Sequence, residues 1–394
     1  MGDNAINWPG LYRWSMSYQG GPPPKGLSKE DRDFLQGAIR EAMSKQENPT
    51  QVLQEQLAVL EKFNSRDPSC QPRDLLAALS VVQRLVDDYP EMARDFNRLG
   101  ALKAFLALLE TCSEAAKTAE RIHPPPPHNA AEQADAALAA KVVKVALGIL
   151  SLVVANNPEV QKALFDQQGL VLLMNLVKEA APESSLRVKA LATVACQLRH
   201  HRDSEQAFVQ ANGLALLVYG MRATNIKYQE KAASLTRHLL LEDLIPFELL
   251  MRAELPQAVS SLLQHAPLKS IQFGEIVTQL TIALLQQHRV NLSKGPALAE
   301  LRDALVERKK RLSNLLNQLK QQEQQHHHHQ EQQSTEAHTT EAYASQEALL
   351  DEAIGLAKFP GMKPSAAEQA AEEERRRRQA GLPPRESQAK MLAM

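Results

Sequence analysis

A chain of 394 residues has the length for one large or two ordinary domains, and its formal net charge of −1 gives no global field to attract nucleic acid or an acidic membrane. Aromatic residues make up 4% against 44% hydrophobic, a balance that favours Leu/Ala helix packing over sheets. The three cysteines, Cys70, Cys112 and Cys196, form no disulfide framework and fit a reducing compartment. There is no apolar leader at the N-terminus, no retrieval signal at the C-terminus and no run near the ~20 apolar residues of a membrane span, so a cytoplasmic protein without a membrane partner is expected.

Residues 1–27 hold both tryptophans, Trp8 and Trp14, followed by Gly20-Gly21-Pro22-Pro23-Pro24, which reads as an aromatic segment on a flexible tether. Ser28 can cap a helix running to about Ser44 by accepting from the N–H of Asp31. A repeat domain is expected over 28–290. Phe96–Leu102, Phe165–Val171 and Val209–Ala215 share an apolar residue, a short polar stretch, a glycine and a new apolar run. Met251–Gln257 repeats the pattern with Pro256 in place of the glycine. Gly169 and Gly213 are 44 residues apart and Gly213 and Leu255 are 42 apart, within the ~40–47-residue period of armadillo and HEAT units. The glycine is expected to supply the left-handed backbone at which one helix ends and the next begins. From Gly100 to Gly169 is 69 residues, so an inserted loop is expected at about 113–139, around the run Pro124-Pro125-Pro126-Pro127. A charged C-terminal helix follows within 291–325, with Leu301, Leu305, Leu312, Leu316 and Leu319 along one edge. Residues 326–394 are low in complexity and are expected to be mostly disordered, apart from a short helix at 345–357. The fold class expected is all-α: a right-handed armadillo-like superhelical repeat stack with a disordered C-terminal tail.

In the unit at 184–202, Val188, Leu191, Val194, Ala195 and Leu198 mark a core face. The opposite stripe, Lys189, Thr193, Cys196, Gln197 and His200, is expected to line a concave groove. Lys144, Lys189 and Lys231 each precede their repeat marker by 24 or 25 residues, so they are read as one structural position in three successive units. Arg199, Arg237 and His238 add positive charge nearby. The lysines are either ordinary surface residues or a stripe that meets an acidic partner. Ser151, Cys196 and His238 stand where a peptide-binding armadillo groove carries asparagines, and no tryptophan accompanies them, which argues against a peptide-reading groove. Without interleaved aromatics the groove offers nothing for nucleic-acid bases to stack on.

Catalytic signatures are missing: there is no phosphate-binding loop, dinucleotide fingerprint, zinc-protease helix or nucleophile elbow, so no enzyme is expected. Cys196 and His200 stand at i, i+4, but with neither an orienting group nor an oxyanion hole in view. His326–His329 reads as a Gln/His tract rather than a metal site, since no cage of other ligands surrounds it. No cofactor and no metal are expected, and a monomer is.

Four stretches carry a resemblance. Leu11-Tyr12-Arg13-Trp14-Ser15-Met16 is similar to an "LLxWSI" opening, Ala93–Gly100 to "NAxDFxKLGG", Asn156–Gln161 to "QNNPxVQ", and Arg187–Leu191 to "VRVKAL". Their order resembles that of the Fes/HspBP family, armadillo-type nucleotide exchange factors for the seventy-kilodalton heat-shock (DnaK-class) chaperones. The resemblance spans roughly 10–290; the inserted loop, Ala155 and the tail beyond 320 depart from it. It implies a partner, the chaperone ATPase domain, embraced by the stack so that ADP and client are released. The groove expected to meet this partner, from the repeat spacing and helix faces, includes Lys144, Asn156, Asn157, Lys189, Cys196, Arg199, Lys231, Arg237 and His238. The resemblance also implies a client-release motif in which Leu11, Trp14, Ser15 and Met16 take part. An armadillo adaptor for another protein or an extended peptide is the alternative.

Overall fold

The computed structural model describes residues 48–67, 70, 72–119, 130–325 and 330–358, together with 29, 33–34 and 36–38; the side chains of 72, 130–133 and 322–339 are outside the description. The aromatic motif at 11–16, the Pro run, His326–His329 and the tail beyond 358 fall outside it, as does most of the helix expected at 28–44. Every regular element among the described residues is a helix. In order these are α1 (Pro49–Asn64), α2 (Pro72–Asp88), α3 (Met92–Arg98), α4 (Ala101–Ala119), α5 (Ala130–Val154), α6 (Pro158–Asp166), α7 (Gly169–Glu179) and α8 (Ser185–Leu198). They continue as α9 (Arg202–Gln210), α10 (Gly213–Met221), α11 (Ile226–Leu241), α12 (Phe247–Arg252), α13 (Leu255–His265), α14 (Ile271–Leu292), α15 (Ala297–Gln325) and α16 (Gln330–Lys358).

Four units of a short first helix, a second and a longer third succeed one another: α3–α4–α5, α6–α7–α8, α9–α10–α11 and α12–α13–α14. A helix pair closes each end, α1–α2 and α15–α16. The third helices form one row, α2–α5–α8–α11–α14–α16, and the second helices another, α1–α4–α7–α10–α13–α15. Most helices pack both within their own unit and on an adjacent one. This is an all-α, armadillo-like repeat stack. Its core is a continuous aliphatic seam in which Leu102, Leu147, Leu191, Leu235 and Leu284 are almost wholly buried; each such side chain contributes roughly 1.5–3 kcal/mol by leaving water.

Helix ends follow local chemistry. Asn48, Asn157, Ser184 and Asn225 each accept from a first-turn N–H. At the junction of first and second helices, Gly100 has φ +79°, as the expected glycine should. In the next three units the left-handed residue is Gln168, Asn212 and Glu254, one position before the expected marker. Gly169 and Gly213 are needed for close approach instead: a Cβ would lie 2.7 Å from Leu164 Cγ and 2.4 Å from a Phe208 ring carbon, respectively.

Two expected boundaries move. The surplus at 113–139 is helix on both sides, since α4 runs to Ala119 and α5 starts at Ala130. Only 120–129 lies between them, because the Ala/Glu-rich flanks are good helix formers and the Pro run is short. The short helix expected at 345–357 is the end of the much longer α16. Its Tyr343, Gln346, Leu350, Ala353, Ile354 and Ala357 are buried against α14 and α15, so this part of the tail belongs to the stack. One more reading changes: Ala134–Val154 is long and apolar enough to cross a membrane, with a mean hydropathy of 2.2. Half of that stretch is buried inside the stack, where α5 packs on α2, α4 and α8.

Candidate functional site

The surface that could take a partner is the open face of the third-helix row. Burial fixes its register. The buried positions of α5 recur 44 residues on in α8, those of α8 42 residues on in α11, and those of α11 45 residues on in α14. The outward positions are then Val145, Gly148, Leu152 and Ala155 on α5 and its end; Lys189, Ala192, Cys196 and Arg199 on α8; and Lys231, Ser234, His238 and Leu241 on α11; their equivalents on α14 are Ile276, Gln279, Ala283 and Gln286, of which Ala283 is buried. Within each helix they step by three, four and three residues, which keeps them on one face.

This register corrects the lysine ladder. Lys189 and Lys231 are equivalent and exposed, but their counterpart on α5 is Val145. Lys144 is half-buried and matches Val188 and Glu230, about 100° round the helix. Lys144 precedes Gly169 by 25 residues, whereas Val145, like Lys189 before Gly213 and Lys231 before Leu255, precedes its marker by 24. Lys189 reaches across to α5, where its Nζ lies 3.9 Å from the place a Cβ on Gly148 would occupy.

The expected stripe on α8 also divides. Lys189 and Cys196 face outwards, whereas Thr193 and Gln197 are fully buried. Thr193 Oγ1 donates to the carbonyl of Leu147 (3.1 Å) and lies 2.8 Å from Ser151 Oγ. Gln197 Nε2 donates to the Gln161 carbonyl (2.8 Å) and to Ser204 Oγ (2.7 Å), while Gln161 Nε2 donates to the carbonyls of Cys196 and Arg199 at the end of α8. Thr193 and the Gln197–Ser204 bond join one unit to the next, and the Gln161 contacts tie the first and third helices within a unit. Ser151 is likewise internal, so the column holding Cys196 and His238 starts with Leu152, 44% exposed.

Asn156 is exposed and left-handed at the end of α5, with φ +55°. Asn157 caps α6 and donates through Nδ2 to the carbonyl of Ala93 at 3.1 Å, which makes it a packing residue. Arg199 is exposed at the C-cap of α8; Arg237 is half-buried and off the open column. His238 Nε2 lies 2.8 Å from Oε1 of Glu205, whose side chain is only 3% exposed, and its ring stands edge-on to His200 at 6.0 Å. Glu205 also has Arg202 at 3.8 Å. Sequence reasoning missed Glu205, because its role depends on a first helix tucked beneath the third.

Electrostatically, the open face is basic at its centre, at Lys189, Arg199 and Lys231. It is apolar on the α5 side and carries no charge at its α14 positions. Burial raises the Cys196 thiol pKa, opposed by Arg199 and Lys231. Cys112 is pushed up to about 11 by burial alone. Both shifts favour the thiol over the nucleophilic thiolate. All three cysteines are free. Among the described residues no group of three His, Cys, Asp or Glu side chains could hold a metal ion.

No family model matches the chain, and no curated protein matches it. Among solved structures it is similar to a designed armadillo repeat protein in complex with the peptide (KR)4, at 15% identity and a TM-score of 0.48, covering 77% of this chain and 99% of that one. A second designed armadillo repeat protein gives the same values. An engineered protein is similar at 15% identity and a TM-score of 0.45, covering 75% of this chain and 97% of that one. The armadillo-like arrangement itself is evident in the three-helix units and their row-on-row packing.

Proposed function

We propose that this chain is a non-catalytic scaffold of the cytosol that binds the ATPase domain of a seventy-kilodalton heat-shock chaperone and speeds release of its ADP and client. The observation that carries this reading is the ordered set of four sequence motifs resembling the Fes/HspBP exchange factors. The basic centre of the open face fits an acidic partner surface. The buried thiols and the want of any catalytic motif favour a role that does no chemistry of its own.

The mechanism would be selection of one partner conformation. A scaffold that binds both states of the chaperone equally shifts nothing; one that prefers the opened nucleotide cleft lowers the population that holds ADP. The alternative, an adaptor for an extended peptide, is less favoured because the column at Leu152, Cys196 and His238 has no asparagine to grip a peptide backbone.

The test is stopped-flow release of a fluorescent ADP analogue from the preloaded chaperone. The off-rate should rise with added protein and reach a plateau at saturation. An off-rate unchanged at saturating protein overturns the chaperone assignment and leaves the scaffold reading to the adaptor alternative.

A further inference from the structure

Near the C-terminal end of the stack, α13, α14, α15 and α16 meet around Arg308, the largest wholly buried side chain of the described residues. Its Nη1 donates to the carbonyls of Leu263 (3.2 Å) and Ala266 (3.0 Å), and Arg311 Nη2 donates to the Leu263 carbonyl (2.9 Å). Two guanidinium groups thus serve the carbonyl end of α13, where cations are favoured. That accounts for only part of their donors. Nε and Nη2 of Arg308 and Nε of Arg311 are buried with no acceptor, and Oε1 of Gln346 is buried with no donor.

No carboxylate among the described residues pairs with either guanidinium; on α16, Glu347 is engaged by Ser313 and Asp351 by Lys309. The first turn of α14 adds the positive end of a helix, and its N-cap Ser270 makes no side-chain hydrogen bond to it. Gly274 belongs to that turn. A Cβ there would fall 1.6 Å from Gln346 Nε2 and 2.9 Å from Arg308 Nη2, so the amide and the guanidinium are packed together against bare backbone. Burial and the repulsion of Arg311 push Arg308 down from its ordinary value to about 10, which still leaves it cationic near neutrality.

We propose that Arg308, Arg311 and the first turn of α14 form a binding site for one small inorganic anion, a halide or an oxyanion, sealed by Gln346 when α16 docks. A buried cation beside a half-buried one needs a counter-charge, and the residue set against Arg308 is an amide where a carboxylate would be the ordinary partner. An amide can turn its N–H towards an anion that a carboxylate would repel. Gly274 leaves room for the amide. The last helix of the third-helix row would then dock in an anion-dependent way, at a place separate from the open basic face.

The full-length protein tests this at a constant 500 mM ionic strength, with sodium bromide replacing sodium gluconate from 5 to 500 mM and a matching phosphate series. The unfolding midpoint should rise by about 3 °C across the bromide series, with amide exchange in 343–357 slowing about tenfold. The phosphate series distinguishes a halide from an oxyanion site. Arg308→Met should abolish the response. Arg311→Lys, a milder change, should raise the bromide concentration at half-effect at least fivefold. Crystals grown with bromide should show an anomalous peak within about 3.5 Å of Arg308 Nη2, the range of a charge-assisted contact to a large halide. Flat midpoints in both series, an unaltered response in Arg311→Lys, or peaks at the surface alone would each overturn the proposal. None of these readouts depends on chaperone binding.

Discussion

A methyl group added at Gly213 would meet the Phe208 ring at 2.4 to 2.5 Å, and Phe208 is itself fully buried, so the ring has nowhere to turn. Gly100 is the opposite case: nothing lies within 4 Å of its Cβ position, and only its φ of +79° requires glycine. Gly213→Ala should therefore cost about 1–3 kcal/mol by overpacking, whereas Gly100→Asn should cost under about 1 kcal/mol, because asparagine tolerates the left-handed region. Urea unfolding midpoints of the two variants check the contrast; equal losses would contradict it. The glycines were legible in the sequence as punctuation. Their separate reasons were not, because a close approach involves a residue, such as Phe208, whose position only the folded chain defines. That Gln168, Asn212 and Glu254 take the left-handed turn was also hidden, since two of these residue types carry no glycine-like signal.

At the scale of helices, the period was readable and the register was not. An offset of one residue rotates a helical position by about 100°. Lys144, 25 residues before its marker rather than 24, was misassigned by that single step, while Lys189 and Lys231, both at 24, were matched correctly. The same limit applies to Thr193 and Gln197, polar residues that look surface-facing in a list but act as mortar between units. Gln197 occupies a site where α6, α8 and α9 meet, and its Nε2 makes two hydrogen bonds. Gln197→Ala should leave the Gln161 carbonyl and Ser204 hydroxyl short of a partner and cost on the order of 1–3 kcal/mol. Gln197→Glu should cost more, since it buries a charge among acceptors. Chemical denaturation of both variants, with helical circular dichroism as the readout, orders them; a glutamate variant as stable as wild type would be inconsistent with the network. The lengthened α4 and α5 were obscured for another reason: four prolines dominate a composition-based reading, yet they break helix only where they stand.

For the whole molecule, the open basic face can be separated from charge in general. If the face meets the partner, Lys189→Glu with Lys231→Glu should weaken chaperone binding about ten- to a hundredfold, the range for charge reversals at a contact. Lys144→Glu, which changes the net charge by the same amount as Lys189→Glu alone but from a half-buried position off the column, should have several-fold less effect than that single variant. Titration calorimetry on the ATPase domain decides it: equal losses for the two single variants would point to long-range attraction, and no loss in the double variant would remove the face from the interaction. The fold class was the most legible feature of the sequence, since a 42- to 44-residue spacing of apolar runs is a whole-chain property that single misreadings do not erase.

Among the described residues the main contacts of each unit are with its neighbours, and none of them braces one end of the stack against the other. In mechanical terms the protein is a leaf spring. A degree or two of rotation at each junction requires only small shifts between packed helices, yet the rotations accumulate along the row, so the inner curve can widen or tighten while every core stays intact. Stiffness in such a body is set by its interlocks, Thr193 on Leu147 and Gln197 on Ser204. A variant that loosens them would change the force the spring exerts on whatever it grips before it changed the chemistry of the grip.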